Sequence, residues 1–335
     1  MRAAERLPVL LGPVALVVAA GLVGSLFARQ TEIYFINALV AVAIVVALYL
    51  FVGNSGVLSF GHVSFVAVGA WAAGVLTVPE EEKLGILPNL FPFLRDLEVG
   101  NVPSLAIAAA VGGAYALLVG LPLMRLSGLA AGIATFAVLE ITHNVLRYYD
   151  RIGPGTFAFS SVPETTGLLQ AAAGAVIAIV VAFGYQTSRF GRQLRATRED
   201  AAAARAVGIS VTRQRLWAFA LSGAVAGFAG GLYVHLLPLT SEELYLNLTF
   251  ITLAMLVIGG VTSLWGAVVG ALAVSGLDSV LAEAEEGLGG LDLPTGSRIV
   301  VVGFLMALVL VLRPSGLTGG RELTLGRGVR RGEEA

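Results

Sequence analysis

Long apolar blocks separated by short polar ones make up this chain: residues 8–27, 33–52, 62–77, 103–124, 128–147, 168–187, 214–235 and 297–312. About 20 apolar residues cross a hydrocarbon core about 30 Å thick, so each block predicts a membrane-spanning helix. A longer apolar region, 249–276, is broken by GGVTSLWG (Gly259 to Gly266). It predicts two arms of about 13 residues that turn at the glycines, and either cross as a tilted pair or re-enter without crossing fully. The polar segment 53–61, GNSGVLSFG, separates the second and third blocks. It is either a tight turn or unwound backbone at membrane depth.

Charge orients these spans. Residues 189–215 hold seven arginines (Arg189, Arg192, Arg195, Arg198, Arg205, Arg213, Arg215) against Glu199 and Asp200. Short loops rich in Lys and Arg stay cytoplasmic, which places this segment inside. The same rule places the N-terminus (Arg2, Arg6) and the C-terminal tail (Arg313, Arg321, Arg327, Arg330, Arg331) inside. The loop 78–102, with five acids, and the loop 277–296, with Asp278, Glu283, Glu285, Glu286 and Asp292, fall outside. Termini on the same side require an even number of crossings. The expected fold is therefore an all-α polytopic bundle in the cell (inner or plasma) membrane, with about ten passes, or eight plus a re-entrant hairpin. It forms one transmembrane domain, 1–318, with the cytoplasmic loop 188–213 inside it. A basic and acidic tail, 319–335, is expected to be flexible. No cleavable signal is expected at MRAAER.

Composition agrees and narrows the chemistry. Hydrophobic residues reach 57% and charged residues only 13%, about half the roughly 25% of soluble domains; mean hydropathy is +0.86. The absence of cysteine excludes disulfides, thiolate metal ligands and cysteine nucleophiles, and a net charge of −1 argues against nucleic acid. Gly223, Gly227 and Gly231 recur on one helix face, and Gly266 and Gly270 repeat that spacing. Small residues at this period let helices approach closely in lipid.

Within the arginine segment a short helix is written. Thr197 is placed to cap it with Asp200 at the third position, Ala201 to Ala204 favour helix, and Gly208 suits a left-handed stop. A helix over Arg198 to Val207 is about 15 Å long, marginal alone in water, so it needs a surface to dock on. The plainer reading is a basic loop that only sets topology.

Few polar residues lie inside spans. Glu140 is the only acid in a clear one, and with His143 and Asn144 it makes a polar patch on one helix face. An ionisable group at that depth is a functional candidate; a buried structural hydrogen-bond pair is the alternative. Asn54, Ser55, Ser59 and His62 cluster around the glycines of 53–61 and are candidate pathway lining. His235 and TSEEL (240–244) fall at the external face, where a substrate-delivering protein could meet them. Nothing in the chain suggests a catalytic residue or a metal site.

Several ordered stretches carry a family resemblance. GRQLRATREDAAAARAVGI (191–209), LWAFALSGAVAGFAGGLY (216–233), FVGNSGVLSFGHVSFVAVGAW (51–71), LVIGGVTSLWGAVVGA (256–271) and RPSGL (313–317) resemble the permease subunits of ATP-binding-cassette importers for branched-chain amino acids, of the LivM type. The likeness implies a non-catalytic inner-membrane subunit. Its partners would be a second homologous permease subunit, two cytoplasmic ATP-binding subunits, an extracytoplasmic substrate-binding protein and membrane lipid. It implies ATPase coupling through Arg195, Arg198, Glu199, Asp200, Ala202, Ala203, Arg205 and Gly208. Two positions depart from the pattern: Ala202 stands where the broader importer signature has glutamate, and Ala201 where the family commonly has an acid. No phosphate-binding G-x-x-x-x-G-K-[ST] loop occurs, and Lys83 is the only lysine, so ATP and magnesium would sit on partner subunits. The cargo would be a branched-chain or related small amino acid; no residue separates these from urea or short amides. A proton- or ion-coupled secondary transporter using Glu140 and His143 is the other class of function.

Overall fold

The computed structural model describes residues 3–149, 151–152, 161–238, 240, 242–285, 294, 296–313 and 315–322. In chain order the helices are α1 (Ala3–Gly24), α2 (Arg29–Ser55), α3 (His62–Thr77), the short α4 (Glu80–Ile86) and α5 (Pro92–Arg95), α6 (Asn101–Leu123), α7 (Gly128–Tyr148), α8 (Leu168–Thr187), α9 (Arg189–Glu199), α10 (Ala201–Ala206), α11 (Val211–Val234), α12 (Leu248–Gly259), α13 (Leu264–Glu285) and α14 (Ser297–Leu312). Among the described residues there is no strand. Among the described residues seven helices, α1, α2, α6, α7, α8, α11 and α13, are long and apolar enough to cross a membrane. Three shorter apolar helices, α3, α12 with the turn before it, and α14, complete the set. The chain is a multi-pass, all-α membrane protein.

At the centre stands α2, apolar on every face and buried from Ala38 to Ser55 apart from Ala41, as a helix without a polar side must be. α8, α11 and α13 surround it, and on the far side of α11 the helices α3 and α6 pack against α11 and each other in close backbone approach. A Cβ built on Gly112 of α6 would lie 2.6 Å from the Gly223 carbonyl oxygen and 2.8 Å from Gly227 Cα. One on Gly231 would lie 2.8 Å from Leu105 Cδ2. The α12–α13 hairpin repeats the device: a Cβ on Gly270 would lie 2.7 Å from Gly259 Cα, and one on Gly266 2.6 Å from the Gly260 carbonyl. Lipid supplies no hydrophobic force between helices, so close backbone approach and dispersion hold this core.

Basic segments share one end of the bundle. There Val9 of α1 lines a cleft with Gln186, Arg192 and Glu322. At the other end lies the loop 78–100, where the only lysine is sequestered: Lys83 Nζ donates to the carbonyls of Leu97 (2.6 Å), Leu94 (3.3 Å) and Arg95 (3.4 Å).

Three local expectations change. The arginine segment is two helices, not one. Ser188 caps α9 by accepting from Gly191 N–H (3.2 Å), and Asp200 rather than Thr197 caps α10, accepting from Ala202 N–H (2.7 Å) and Ala203 N–H (3.0 Å). The Thr197 hydroxyl is occupied inside α9, donating to the Leu194 carbonyl (2.7 Å). Gly208 does adopt the left-handed conformation (φ 81°). Second, the arms of 249–276 are unequal: α12 has 12 residues and α13 has 22. The apolar run fades near Ser275, but the strong helix formers of LDSVLAEAE carry the helix on. Asp278, Glu283 and Glu285 are therefore helical and not loop; Glu286 and Asp292 lie outside the described residues. Third, the tail boundary expected at 319 falls within a packed segment, since Gly320 accepts from Thr262 Oγ1 (3.0 Å) and Glu322 from Leu264 N–H (2.9 Å). Residues 323–335 lie outside the described residues.

Candidate functional site

The α9–α10 element divides the arginine-segment residues between two faces. Arg195 and Arg198 point into the bundle. Arg195 donates to the Gln186 carbonyl (2.7 Å) and to Asn54 Oδ1 (3.4 Å), and Arg198 donates to the Gly53 carbonyl (2.7 Å). Gly53 and Asn54 belong to the last turn of α2, where helical carbonyls have no partner of their own and the dipole favours cations. Gly56 (φ 70°) ends that helix and leaves room for Arg198, whose Cγ would lie 2.8 Å from any Cβ there. Glu199, Asp200, Ala202, Ala203, Arg205 and Gly208 face outward. Backbone amides of Ala203 and Ala202 hold the Asp200 carboxyl below the usual aspartate range. Val207 is 75% exposed beside them. The exposed surface of α10 is thus small, partly apolar and edged by Arg205, while its neighbour α9 is bolted to α2.

Residues 56–61 are unwound backbone inside the bundle. From the end of α2 the chain turns back to His62, whose Nε2 lies 2.7 Å from Ser222 Oγ, about halfway along α11. Ser222 in turn donates to the Ala47 carbonyl (2.6 Å), well up α2. The Ser222 hydroxyl proton is thereby committed, so His62 donates from Nε2 and accepts at Nδ1 from Ser59 Oγ (2.7 Å). Phe51, Phe65 and Phe219 enclose the ring with centroids 5.4 to 5.6 Å away. Unwound backbone at depth must be satisfied by protein: Phe60 N–H donates to Thr135 Oγ1 (3.1 Å) and Val57 N–H to Ser55 Oγ (3.1 Å). Asn54, which also donates to the Leu50 carbonyl (3.0 Å), stays with the arginines. The four candidates therefore form two sets, Ser59 with His62 in the core, and Asn54 with Ser55 beneath α9. All four are buried.

Glu140 and His143 lie on a different face, about halfway along α7. The Glu140 carboxylate accepts from Asn144 Nδ2 (2.7 Å) and from the Tyr245 hydroxyl, and the His143 ring stacks on Tyr245 with centroids 4.0 Å apart. Tyr245 sits in the kinked turn Glu243–Asn247, anchored by an ion pair between Arg147 and Glu242. An open groove of about 730 Å³ runs along Glu140, Asn144, Val145, Tyr148 and Ile152. His235, expected at the external surface, is fully buried: Nδ1–H donates to the Gly231 carbonyl (2.6 Å), and Nε2 lies 3.0 Å from Thr77 Oγ1. Of TSEEL, Thr240 and Glu243 bond each other through side chain and backbone; Ser241 lies outside the described residues.

Comparison with known proteins places this architecture. The family model described as "Branched-chain amino acid transport system / permease component" matches residues 31–310. The high-affinity branched-chain amino acid transport system permease protein LivM of Salmonella typhimurium strain LT2 is 27% identical, across 92% of this chain and 73% of its own length. Its namesake from Escherichia coli strain K12 is 26% identical, across 85% and 69%. "Probable branched-chain amino acid transport permease protein LivH" of Methanocaldococcus jannaschii is 26% identical, across 87% and 91%. No solved structure matches at the same stringency.

Proposed function

Since this chain belongs to the family of branched-chain amino acid transport permease components, we propose that it forms half of an ATP-driven import path for branched-chain or related small amino acids. A family match over most of the chain carries this reading. Its basic end faces the cytoplasm, with both termini there, and two separate ATP-binding subunits engage α9–α10. The exposed surface of α10 supports the docking, because a helix of six residues has no stability of its own. Ala202, Ala203 and Val207 seat in the ATPase, flanked by Glu199, Asp200 and Arg205, and Gly208 closes the helix. Arg195 and Arg198 pass the displacement to the end of α2.

The second permease subunit covers the open face of α7. Glu140 and Asn144 border a groove about halfway along that helix, and a carboxylate at such depth is not left against lipid. That face, with Glu140, lies against the partner or the aqueous path, alternating between outside-open and inside-open, while His143 stands behind it, buried on Tyr245. An external binding protein delivers the cargo.

Co-purification in mild detergent with the ATPases encoded beside it tests the docking. Wild type should retain an ATPase, and Ala203→Trp should lose it with insertion and helicity unchanged. Recovery of none by the wild type would sink the reading. The groove at Glu140 also suits a proton-coupled carrier, and Glu140→Gln separates the two: uptake stays within a few-fold on our reading and is abolished on the other.

A further inference from the structure

The last described residues do more than follow α14. Leu317 N–H donates to the Ile258 carbonyl (2.7 Å) and Thr318 N–H to the Gly259 carbonyl (3.2 Å), so the segment takes up carbonyls left free at the end of α12. Thr318 Oγ1 donates to the same Gly259 carbonyl (2.8 Å), and Thr262 Oγ1 to the Gly320 carbonyl (3.0 Å). Four residues on, the Glu322 carboxylate accepts from Leu264 N–H (2.9 Å) and Trp265 N–H (3.3 Å), the first amides of α13. One short segment therefore satisfies both broken ends of the α12–α13 hairpin, groups that are costly to leave unpaired.

Glu322 also faces away from the hairpin. The Tyr49 hydroxyl of α2 lies 3.4 Å from its Oε1 and donates to Gln186 Oε1 of α8 at 2.6 Å. The Gln186 carbonyl receives Arg195 of α9 at 2.7 Å. A continuous chain of polar contacts thus runs from α9 through Gln186, Tyr49 and Glu322 to the first turn of α13. Tyr49 is 2% exposed and Gln186 4%, while Glu322 is partly buried and borders the cleft with Gln186 and Arg192.

We propose that residues 315–322 form a coupling strap, with Glu322 as the joint that ties the α12–α13 hairpin to the α2–α8–α9 end. Displacement of α9 then moves the hairpin together with α2, and the permease opens as one body on that side. This rests on the reading of α9–α10 as the ATPase contact.

The full transporter in proteoliposomes, with its ATPases, binding protein and labelled leucine, tests the strap. Glu322→Ala should retain ATPase binding and ATP hydrolysis within about two-fold, while uptake per ATP falls at least ten-fold. Glu322→Gln keeps an acceptor for the Leu264 amide and should fall in between. Full coupling in Glu322→Ala, with ATPase bound, would overturn the strap. Absence of ATPase from the wild type would overturn the docking reading instead. A second arm does not depend on Glu322. Ser263 Oγ and Thr318 Oγ1 are 3.4 Å apart, and the chain has no cysteine, so Ser263→Cys with Thr318→Cys gives a single thiol pair joining strap to hairpin. Oxidation should leave uptake unchanged, because both move together. Uptake lost on oxidation and restored by reductant would mean the strap detaches during transport, and would overturn the proposal.

Discussion

The middle of the bundle and its basic end are held together by opposite means. Where α3, α6 and α11 cross, side chains are removed: Gly69, Gly112, Gly223 and Gly227 bring backbone against backbone. At the basic end side chains are added, and long ones reach across to backbone: Arg195 to Gln186, Arg198 to Gly53, Glu322 to Leu264. Depth explains the contrast. Within hydrocarbon only close packing and satisfied hydrogen bonds hold helices together. Near water a charged group can solvate its outer side while bonding a helix end. A junction of glycines is stiff, because nothing in it can yield. A junction of guanidinium and carboxylate arms can shift by changing rotamers, which suits the region assigned to receive an external push.

Breaking the glycine junction should have the largest effect. Gly227→Val places atoms against the Ala108 and Gly112 backbone, which cannot rotate away, and should cost about 3 kcal/mol or more. Loss of the monodisperse peak in detergent chromatography checks this, and a variant that remains monodisperse and transports normally would show that the crossing yields. Next comes Ser222→Ala, which leaves the His62 Nε2–H without its acceptor and should cost about 1–3 kcal/mol. Thermal unfolding in detergent measures it.

At the basic end, Arg198→Ala should cost only about 1 kcal/mol yet reduce uptake several-fold. Arg198→Lys should restore little, because a point charge replaces a planar fork that spans to the Gly53 carbonyl. Equal loss of stability and uptake in the two regions would erase the distinction between them. Asp200→Ala is the mildest change. Its carboxyl is held below the ordinary aspartate value of 3.8, so its contribution is present above that value and lost as pH falls through the lower folded one. Lower protection of the Ala202 and Ala203 amides against hydrogen exchange is expected in the variant, with its melting temperature unchanged, and lower protection of the same two amides in the wild type under strong acid.

How far the sequence could be read differs between these regions. Every apolar block became a helix, since hydropathy and length act within one segment. Thr197 and Asp200 are both good caps for α10, and local sequence does not choose between them. The choice fell to the Leu194 carbonyl, which engages the Thr197 hydroxyl inside a helix whose start at Ser188 no apolar periodicity marks. Among the eight coupling candidates in the arginine segment, sequence could not say that Arg195 and Arg198 face inward, since their acceptors lie on α2 and α8. His62 and Ser222 are 160 residues apart; a signal for that pair existed only in two polar residues within otherwise apolar blocks. His235 looked superficial because it ends a span, and the packing of Thr77 against it buried it. Glu322 carried no signal beyond being an acid after RPSGL.

Apolar block length, the glycine period, the clustering of arginines and the left-handed stop at Gly208 are properties of neighbours in the chain, and they are enough for an all-α membrane protein with a capped helical insertion. Which face each arginine takes, how deep the unwound 56–61 runs, and where Glu322 lands depend on groups supplied by other helices. Hydrogen bonds and charge pairs are short-ranged and directional, so their partners exist only once the bundle has closed.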